Sequence, residues 1–190
     1  MNEENKMDLC QAVKHIAWGY VLLHFNINLG PLNVLPNWAG YLLMVGALPA
    51  LSEEESSAFL LRPLGLLLAG WEGLCWAMAL FGRDPNFQFL SALVTVIALY
   101  FHFQLLTDLA IAARNHQCPQ EKRILHLRTV QTLLTTLLAL PFPLERYEAL
   151  VMVVSLVFMA VAVWICMVLF SLRSSLQESQ YENPPPAAIP

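Results

Sequence analysis

One acidic residue, Glu72, lies in the middle of a long apolar stretch, which makes it a candidate for ion chemistry. An ionised carboxylate at the centre of a membrane span costs about 2.5 to 3.5 kcal/mol on insertion scales, so its presence requires a reason. One interpretation is a proton or cation site inside a helix bundle. The other is a protonated or paired acid that joins two helices. Both interpretations predict that Glu72 faces protein rather than lipid.

Small residues surround this carboxylate. Gly65, Ala69, Gly73 and Ala77 recur every four residues along the same stretch. Such a stripe lets the backbone of another helix approach closely. Because Glu72 borders the stripe, we expect it to lie beside a neighbouring helix.

The next apolar stretch carries a second set of polar residues. Gln104 and Asp108 lie on one helical face, and Arg128 begins the following stretch at a similar depth. We expect an ion pair between Asp108 and Arg128, and side-chain hydrogen bonds between these two helices. His102 points away from Asp108 and is predicted either to pair with Glu72 or to bond a nearby hydroxyl or carbonyl group.

Amide side chains cluster around a third region, after the first apolar stretch. Two alternatives are open here: a ligand-binding or ion-coordinating crevice, or an ordinary capped turn at the level of the lipid headgroups. In the second case Asn37 caps the helix that follows Pro36, and Trp38 and Tyr41 are interfacial aromatics. The residues concerned are His24, Asn28, Asn33, Pro36, Asn37 and Gly40.

The composition indicates the medium in which these residues lie. The chain is 57% hydrophobic and 13% charged, against roughly 45 to 50% and about 25% in soluble domains. The run Ala149 to Phe170 contains no charge and is long enough to cross a bilayer. We therefore predict an all-α integral membrane helical bundle with the lipid bilayer as its surroundings.

Several chemistries are not indicated. The sequence has no nucleotide-binding fingerprint, no zinc-protease helix and no nucleophile elbow, and no basic patch typical of nucleic-acid binding. His116 and Cys118 alone are too few for a metal site, and the four cysteines lack the spacing of a disulfide framework. We expect no cofactor, no metal, no nucleic-acid partner and no enzymatic activity.

Hydropathy divides the chain into about six predicted spans. The second is short or broken, because its clean apolar run from Trp38 to Leu51 rises only about 21 Å against a hydrocarbon core of about 30 Å. Residues 1–11 are predicted to be a cytoplasmic segment, 12–172 the transmembrane domain and 173–190 a disordered cytoplasmic tail. The spans are 12–29, 34–51, 58–81, 87–113, 124–141 and 149–172.

Basic residues set the predicted orientation, because Lys and Arg near span ends resist translocation. With a cytoplasmic N-terminus, eight of the ten basic residues fall on the inner side, and only Arg83 and Arg146 fall outside. If the second span re-entered instead of crossing, the basic loop 114–123 would be exported. The pattern therefore favours six crossings with both termini in the cytoplasm.

The segment Asn28-Leu29-Gly30 followed by Leu35-Pro36-Asn37-Trp38-Ala39-Gly40-Tyr41-Leu42-Leu43 resembles a pattern of uncharacterised small polytopic membrane proteins of bacteria. In that pattern an acidic residue often follows the Leu-Pro pair, and Asn37 holds that place here. The resemblance covers about the first fifty residues. It implies a multi-span protein of the bacterial inner membrane and brings no activity with it.

The sequence leaves two functions open. Abundant packing residues and few site residues favour a non-enzymatic bundle that acts through a protein partner or as a homo-oligomer. The cost of Glu72 favours a small transporter or channel-like protein in which this carboxyl group titrates, with His102 or His24 assisting.

The orientation is testable with reporter fusions. A reporter enzyme that is active only in the cytoplasm should be active when it is joined after Ser57 or after Gln120, because the flanking basic residues hold these loops inside. A reporter joined after Gly82 should give the opposite response. An exported signal after Gln120 would contradict the predicted orientation.

Overall fold

The computed structural model describes residues 7–25, 28–29, 32–33, 36–83, 88–139 and 148–182. Within these ranges the fold is all-helical, as predicted, apart from one two-residue antiparallel pairing of β1 (Asn28–Leu29) with β2 (Leu32–Asn33). A 3₁₀ helix, Ser56–Leu60, leads directly into α3. The α-helices are α1 (Leu9–His24), α2 (Asn37–Glu54), α3 (Leu61–Leu80), α4 (Gln88–Asn115), α5 (Glu121–Ala139) and α6 (Glu148–Glu182).

Neighbouring helices run in opposite directions. Trp18 on α1 contacts Phe170 on α6, and further along α1 His24 contacts Phe158, which is earlier in α6. The same reversal holds between α2 and α3, where Val45 meets Gly65 and Trp38 meets Gly73. The helices therefore form an up-and-down bundle.

The bundle closes on itself. Each α-helix packs on the next one in the chain, and α6 packs back on α1. A chain of buried apolar side chains connects all six helices into one core. Since α2 also touches α4 across the ring, the side chains of several helices meet at its centre.

One end of the bundle collects polar connections. Ser57 donates to Asp108 there, and His116 in the α4–α5 loop lies 3.1 Å from Glu54 at the end of α2. Gln120 donates to the Ser175 hydroxyl of α6 at 2.8 Å. The exposed basic residues Lys14, Arg62, Arg114, Lys122 and Arg123 lie near this same end, so the basic residues are separated from Arg83 by the length of the bundle.

Three helical segments are long and apolar enough to cross a membrane: 56–80, 89–115 and 149–179. Their large apolar side chains point outward, as in Leu66, Val96 and Leu156, each of which is about half exposed or more. In water such exposed apolar surfaces would drive aggregation, whereas in lipid they can contact the apolar acyl chains. These segments make the protein a helical bundle suited to a membrane.

The second predicted span differs in detail from its prediction. The helix α2 begins at Asn37 and runs to Glu54, past the apolar run that was expected to end at Leu51. Pro36 occupies the N-cap position and no side chain caps the helix. Asn37 is therefore the first helical residue rather than the cap, and its side-chain amide bonds Glu72 of α3 instead.

The last helix extends into the segment that was predicted to be a disordered tail. It continues from the expected end at Leu172 to Glu182. Leu176 is buried in the common core together with Leu9 and Cys10 at the start of α1. Burial of Leu176 stabilises the helix beyond the predicted membrane span. The polar composition of this segment alone does not predict such a helix.

Two glycines bring α1 and α2 into backbone contact. A Cβ atom placed on Gly19 would lie 2.8 Å from the carbonyl oxygen of Gly40, and one placed on Gly40 would lie 2.8 Å from the carbonyl oxygen of Gly19. On each helix a backbone carbonyl oxygen lies in the way of the added Cβ atom, and no side-chain rotation can relieve that contact. Gly40 therefore packs the two helices together.

Substitution of Gly40 tests this crossing. Gly40→Ala should lower the free energy of unfolding by about 1–3 kcal/mol, because the added methyl group forces the two backbones apart. Gly46→Ala in the same helix is the matched control, since nothing lies within 4 Å of its added Cβ. The measurement is the unfolding midpoint in mild detergent, and equal midpoints for the two variants would contradict the close crossing.

Candidate functional site

Glu72 lies on the side of α3 that faces α2. The Asn37 side-chain amide donates to its Oε2 atom at 3.1 Å. The small-residue stripe makes this approach possible, since a Cβ atom on Gly65 would lie 2.4 Å from Val45 of α2. Asn37 thus contributes to the carboxylate site instead of capping its own helix.

Glu72 also borders a half-open cavity of about 170 Å³ between α2, α3, α4 and α5. A cavity of this size and polarity has room for several water molecules. Side chains from four helices form its walls, and many of them carry hydrogen-bonding groups. The lining residues are Tyr41, Leu68, Trp71, Glu72, Ser91, Val94, Thr95, Ala98, Leu99, His102, Gln131, Thr132 and Thr135.

His102 lies at the inner wall of this cavity, between two tyrosines. Its Nδ1 atom is 3.2 Å from the Tyr20 hydroxyl, and its Nε2 atom is 3.4 Å from the Tyr41 hydroxyl. The expected direct pairing with Glu72 is not formed, and the two residues share the cavity instead. The alternative expectation, a neighbouring hydroxyl, is the one that the structure shows.

His24 belongs to a second cavity. Its ring stacks on Tyr20 with the centroids 5.7 Å apart, and its Nδ1 atom lies 3.0 Å from the Tyr20 carbonyl oxygen. This cavity measures about 270 Å³ and is lined mainly by apolar residues of α5 and α6, with Ser155 as a further polar group. Tyr20 therefore touches a histidine of each cavity.

Asp108 forms a separate cluster near the polar end of the bundle. Its side chain is fully buried, and its Oδ1 atom accepts hydrogen bonds from Ser57 at 2.8 Å and from Gln104 at 2.7 Å. Its Oδ2 atom is buried and has no hydrogen-bond partner among the described residues. These bonds tie the beginning of the third span to α4.

The expected ion pair between Asp108 and Arg128 is absent from the described part of the chain. Arg128 donates to the Thr107 hydroxyl at 3.0 Å and lies 4.5 Å from the centre of the Phe103 ring. Consecutive residues of a helix point about 100° apart, so Thr107 faces α5 while Asp108 faces the 3₁₀ helix. Sequence spacing gave the correct depth for Arg128 but the wrong partner.

The residues of the predicted outer crevice serve separate roles. Pro36 starts α2, Asn37 bonds Glu72 and Gly40 packs on α1. Asn28 pairs with Asn33 through the backbone of the short ladder, and their side chains lie outside the described part of the structure. The loop around which the crevice was predicted lies largely outside the described residues, so the crevice stays a prediction.

The two aromatic residues expected at the headgroup level are also placed differently. Tyr41 is only 6% exposed and bonds toward His102 in the interior. Trp38 packs edge-on against Trp76 of α3, with ring centroids 6.2 Å apart. Both side chains thus pack between helices.

The described residues contain no group of three or more His, Cys, Asp or Glu side chains placed to hold a metal ion. None of the four cysteines, all in the described part of the chain, forms a disulfide bond. In the loop after α4, burial raises the pKa of the Cys118 thiol, which keeps it protonated and unreactive at neutral pH. His116 pairs with Glu54 instead of joining Cys118 in a metal site.

The sequence did not single out Tyr20, and it predicted Tyr41 as an aromatic residue at the headgroup level rather than a partner of His102. The spacing of Tyr20 and His24 places them on one face of α1, which was a usable signal. Nothing in the sequence indicates that this face meets His102, because the contact joins residues 82 positions apart.

Comparison with protein families, with curated proteins and with solved structures finds no match to this chain.

The Asp108 cluster yields a stability prediction. Ser57→Ala should lower the free energy of unfolding by about 1–3 kcal/mol, because the buried Asp108 side chain loses one of its two hydrogen-bond donors. Ser174→Ala should have an effect within about 0.5 kcal/mol, since the Ser174 hydroxyl is exposed and bonds only within its own helix. The free energy of unfolding in detergent measures both effects. An unchanged free energy of unfolding for Ser57→Ala would contradict the role of the Ser57–Asp108 bond.

Proposed function

We propose that this chain is a multi-span integral membrane protein that binds a proton or a small cation at Glu72 and acts as a small transporter or channel-like protein. The proposal rests on the half-open pocket of about 170 Å³ that Glu72 borders and whose wall carries several polar side chains. A carboxyl group whose only role was to join two helices would not need such a cavity beside it.

The chemistry of the cavity wall supports ion binding. Oxygen atoms are the ligands that hard cations prefer and that relay protons through water. Besides the Glu72 carboxylate, the wall carries the hydroxyls of Thr95 and Thr135. The Oε1 atom of Gln131, and Oδ1 of Asn37 beside Glu72, are buried acceptors without a hydrogen-bond partner among the described residues. Such unsatisfied acceptors favour a polar or cationic occupant.

The up-and-down arrangement supports six crossings. At 1.5 Å per residue, the 16 residues of α1 rise about 24 Å and the 18 residues of α2 about 27 Å, close to the hydrocarbon thickness of about 30 Å. Both helices run alongside the longer spans. They can cross with modest thinning of the bilayer.

The basic end of the bundle supports the orientation. We propose that this end, which holds both the start of α1 and the end of α6, lies in the cytoplasm of a bacterial cell, with the protein in the inner membrane. The bacterial assignment rests on the resemblance carried by Leu35-Pro36 and Gly40-Tyr41.

Replacement of Glu72 tests the function. With the protein reconstituted in liposomes, an imposed proton or cation gradient should decay faster than in empty liposomes. Glu72→Gln should return the decay to the empty-liposome rate, because the amide keeps the shape of the carboxyl group but carries no negative charge and takes up no proton near neutral pH. The measurement uses an internal pH dye and a cation-selective electrode.

Glu178→Gln is the control, since Glu178 is an exposed acid near the end of α6. It should transport like the unmodified protein. If flux through Glu72→Gln equals that of the unmodified protein, the transporter proposal fails. The alternative would then be favoured, in which the bundle acts through a protein partner or as a homo-oligomer.

A further inference from the structure

We infer that the cation bound at Glu72 is a small protonated alkylamine rather than a metal ion. This inference rests on the proposed function of Glu72 and names its class of substrate. The pocket beside Glu72 combines a carboxylate, hydrogen-bond acceptors, aromatic rings and an apolar wall. An alkylammonium ion carries a positive charge, N–H donors and an apolar chain, so it complements all of these features.

The charge of Glu72 has no basic partner in the described part of the chain. Its hydrogen bond there comes from the Asn37 amide, which is neutral. His102, the histidine of the pocket wall, places both ring nitrogens on tyrosine hydroxyls. The ion pair between His116 and Glu54 lies at the polar end of the bundle. A cation in the pocket would supply the charge that the carboxylate lacks.

The polar side of the wall consists of acceptors. The Thr95 hydroxyl donates to the Ser91 carbonyl oxygen at 2.9 Å, and the Thr132 hydroxyl donates to the Arg128 carbonyl oxygen at 2.7 Å. A hydroxyl group has a single hydrogen, so toward the pocket these two oxygens can only accept. Together with the Glu72 carboxylate they favour an occupant that donates. An ammonium group has N–H donors and no acceptor.

The remaining wall suits an alkyl chain. Tryptophan is the aromatic side chain that attracts an ammonium group most strongly, and apolar side chains lie beside it. A metal ion gains nothing from such a wall and needs several oxygen ligands around one point. The described residues provide no group of three or more His, Cys, Asp or Glu side chains for that purpose. The apolar and aromatic residues of the wall are Tyr41, Leu68, Trp71, Val94, Ala98 and Leu99.

The volume of the pocket limits the length of the chain. The pocket measures about 170 Å³. A cavity of about 150 Å³ holds a molecule of the size of benzene. Butylammonium is of comparable size, so we expect it to fill the pocket.

Binding of radioactive butylammonium to the purified full chain in mild detergent tests the inference. Binding should be saturable, and Glu72→Gln should remove the saturable part. Trp71→Leu should raise the Kd about 5- to 30-fold, because leucine fills space but offers no negative ring face to the cation. Trp164→Leu is the matched control, since Trp164 is 41% exposed on α6 and does not line the pocket. Its Kd should equal that of the unmodified protein, and an equal Kd for Trp71→Leu would contradict the aromatic contact.

A series of ligands on the unmodified protein covers the case in which Trp71→Leu does not fold. From methylammonium to butylammonium, each methylene group should lower the Kd by up to about fourfold, because the pocket buries it. Butan-1-ol has the same chain without the charge and should not displace butylammonium. A Kd that does not change with chain length would overturn the inference. So would displacement of butylammonium by an equal concentration of sodium or potassium.

The liposome assay separates this inference from the proposed function. If Glu72→Gln stops the decay of the ion gradient while the unmodified protein does not bind butylammonium, Glu72 remains an ion site and the assignment to alkylamines is wrong. If neither the decay nor the binding depends on Glu72, the proposed function fails as well.

Discussion

Hydrocarbon offers no hydrogen bonds, so a polar side chain inside a membrane bundle needs a partner within the protein or in a water-filled space. This constraint explains the helix contacts that matter most. The Glu72 carboxylate accepts from Asn37 across α3 and α2, and buried Asp108 accepts from Ser57 across α4 and the 3₁₀ helix. The polar groups thereby fix which faces turn inward, while the three longest apolar segments keep outward faces that suit a membrane.

The close crossing of α1 and α2 has a consequence for the interior. Gly19 and Gly40 touch backbone to backbone, and each is followed directly by a tyrosine. The crossing therefore places Tyr20 and Tyr41 at nearly the same depth, where their hydroxyl groups reach the two nitrogens of His102. Packing and polar chemistry are coupled here, because a bulkier residue at either glycine would separate the two tyrosines from the histidine.

Much of the architecture could be predicted from the sequence, because hydropathy directly reports which segments suit lipid. The interior position of Glu72 also followed, from the small residues beside it. The partners of the polar residues could not be predicted in the same way, since they depend on rotations of helices distant in sequence. Arg128 bonds Thr107 rather than Asp108 because of a 100° difference in direction, and residues after Leu172 remain helical because Leu176 finds a place in the core.

The proposed function requires that the pocket beside Glu72 is accessible to water while the outer face of the bundle contacts lipid. Single cysteines at Thr135, which lines the cavity, and at Val96, which is 63% exposed on the outer face of α4, test it in a background without the native cysteines. In membranes, a small polar thiol reagent should modify Thr135→Cys much faster than Val96→Cys, because thiolates form in water and not in hydrocarbon. Faster modification of Val96→Cys, or equal rates at the two positions, would contradict the claim.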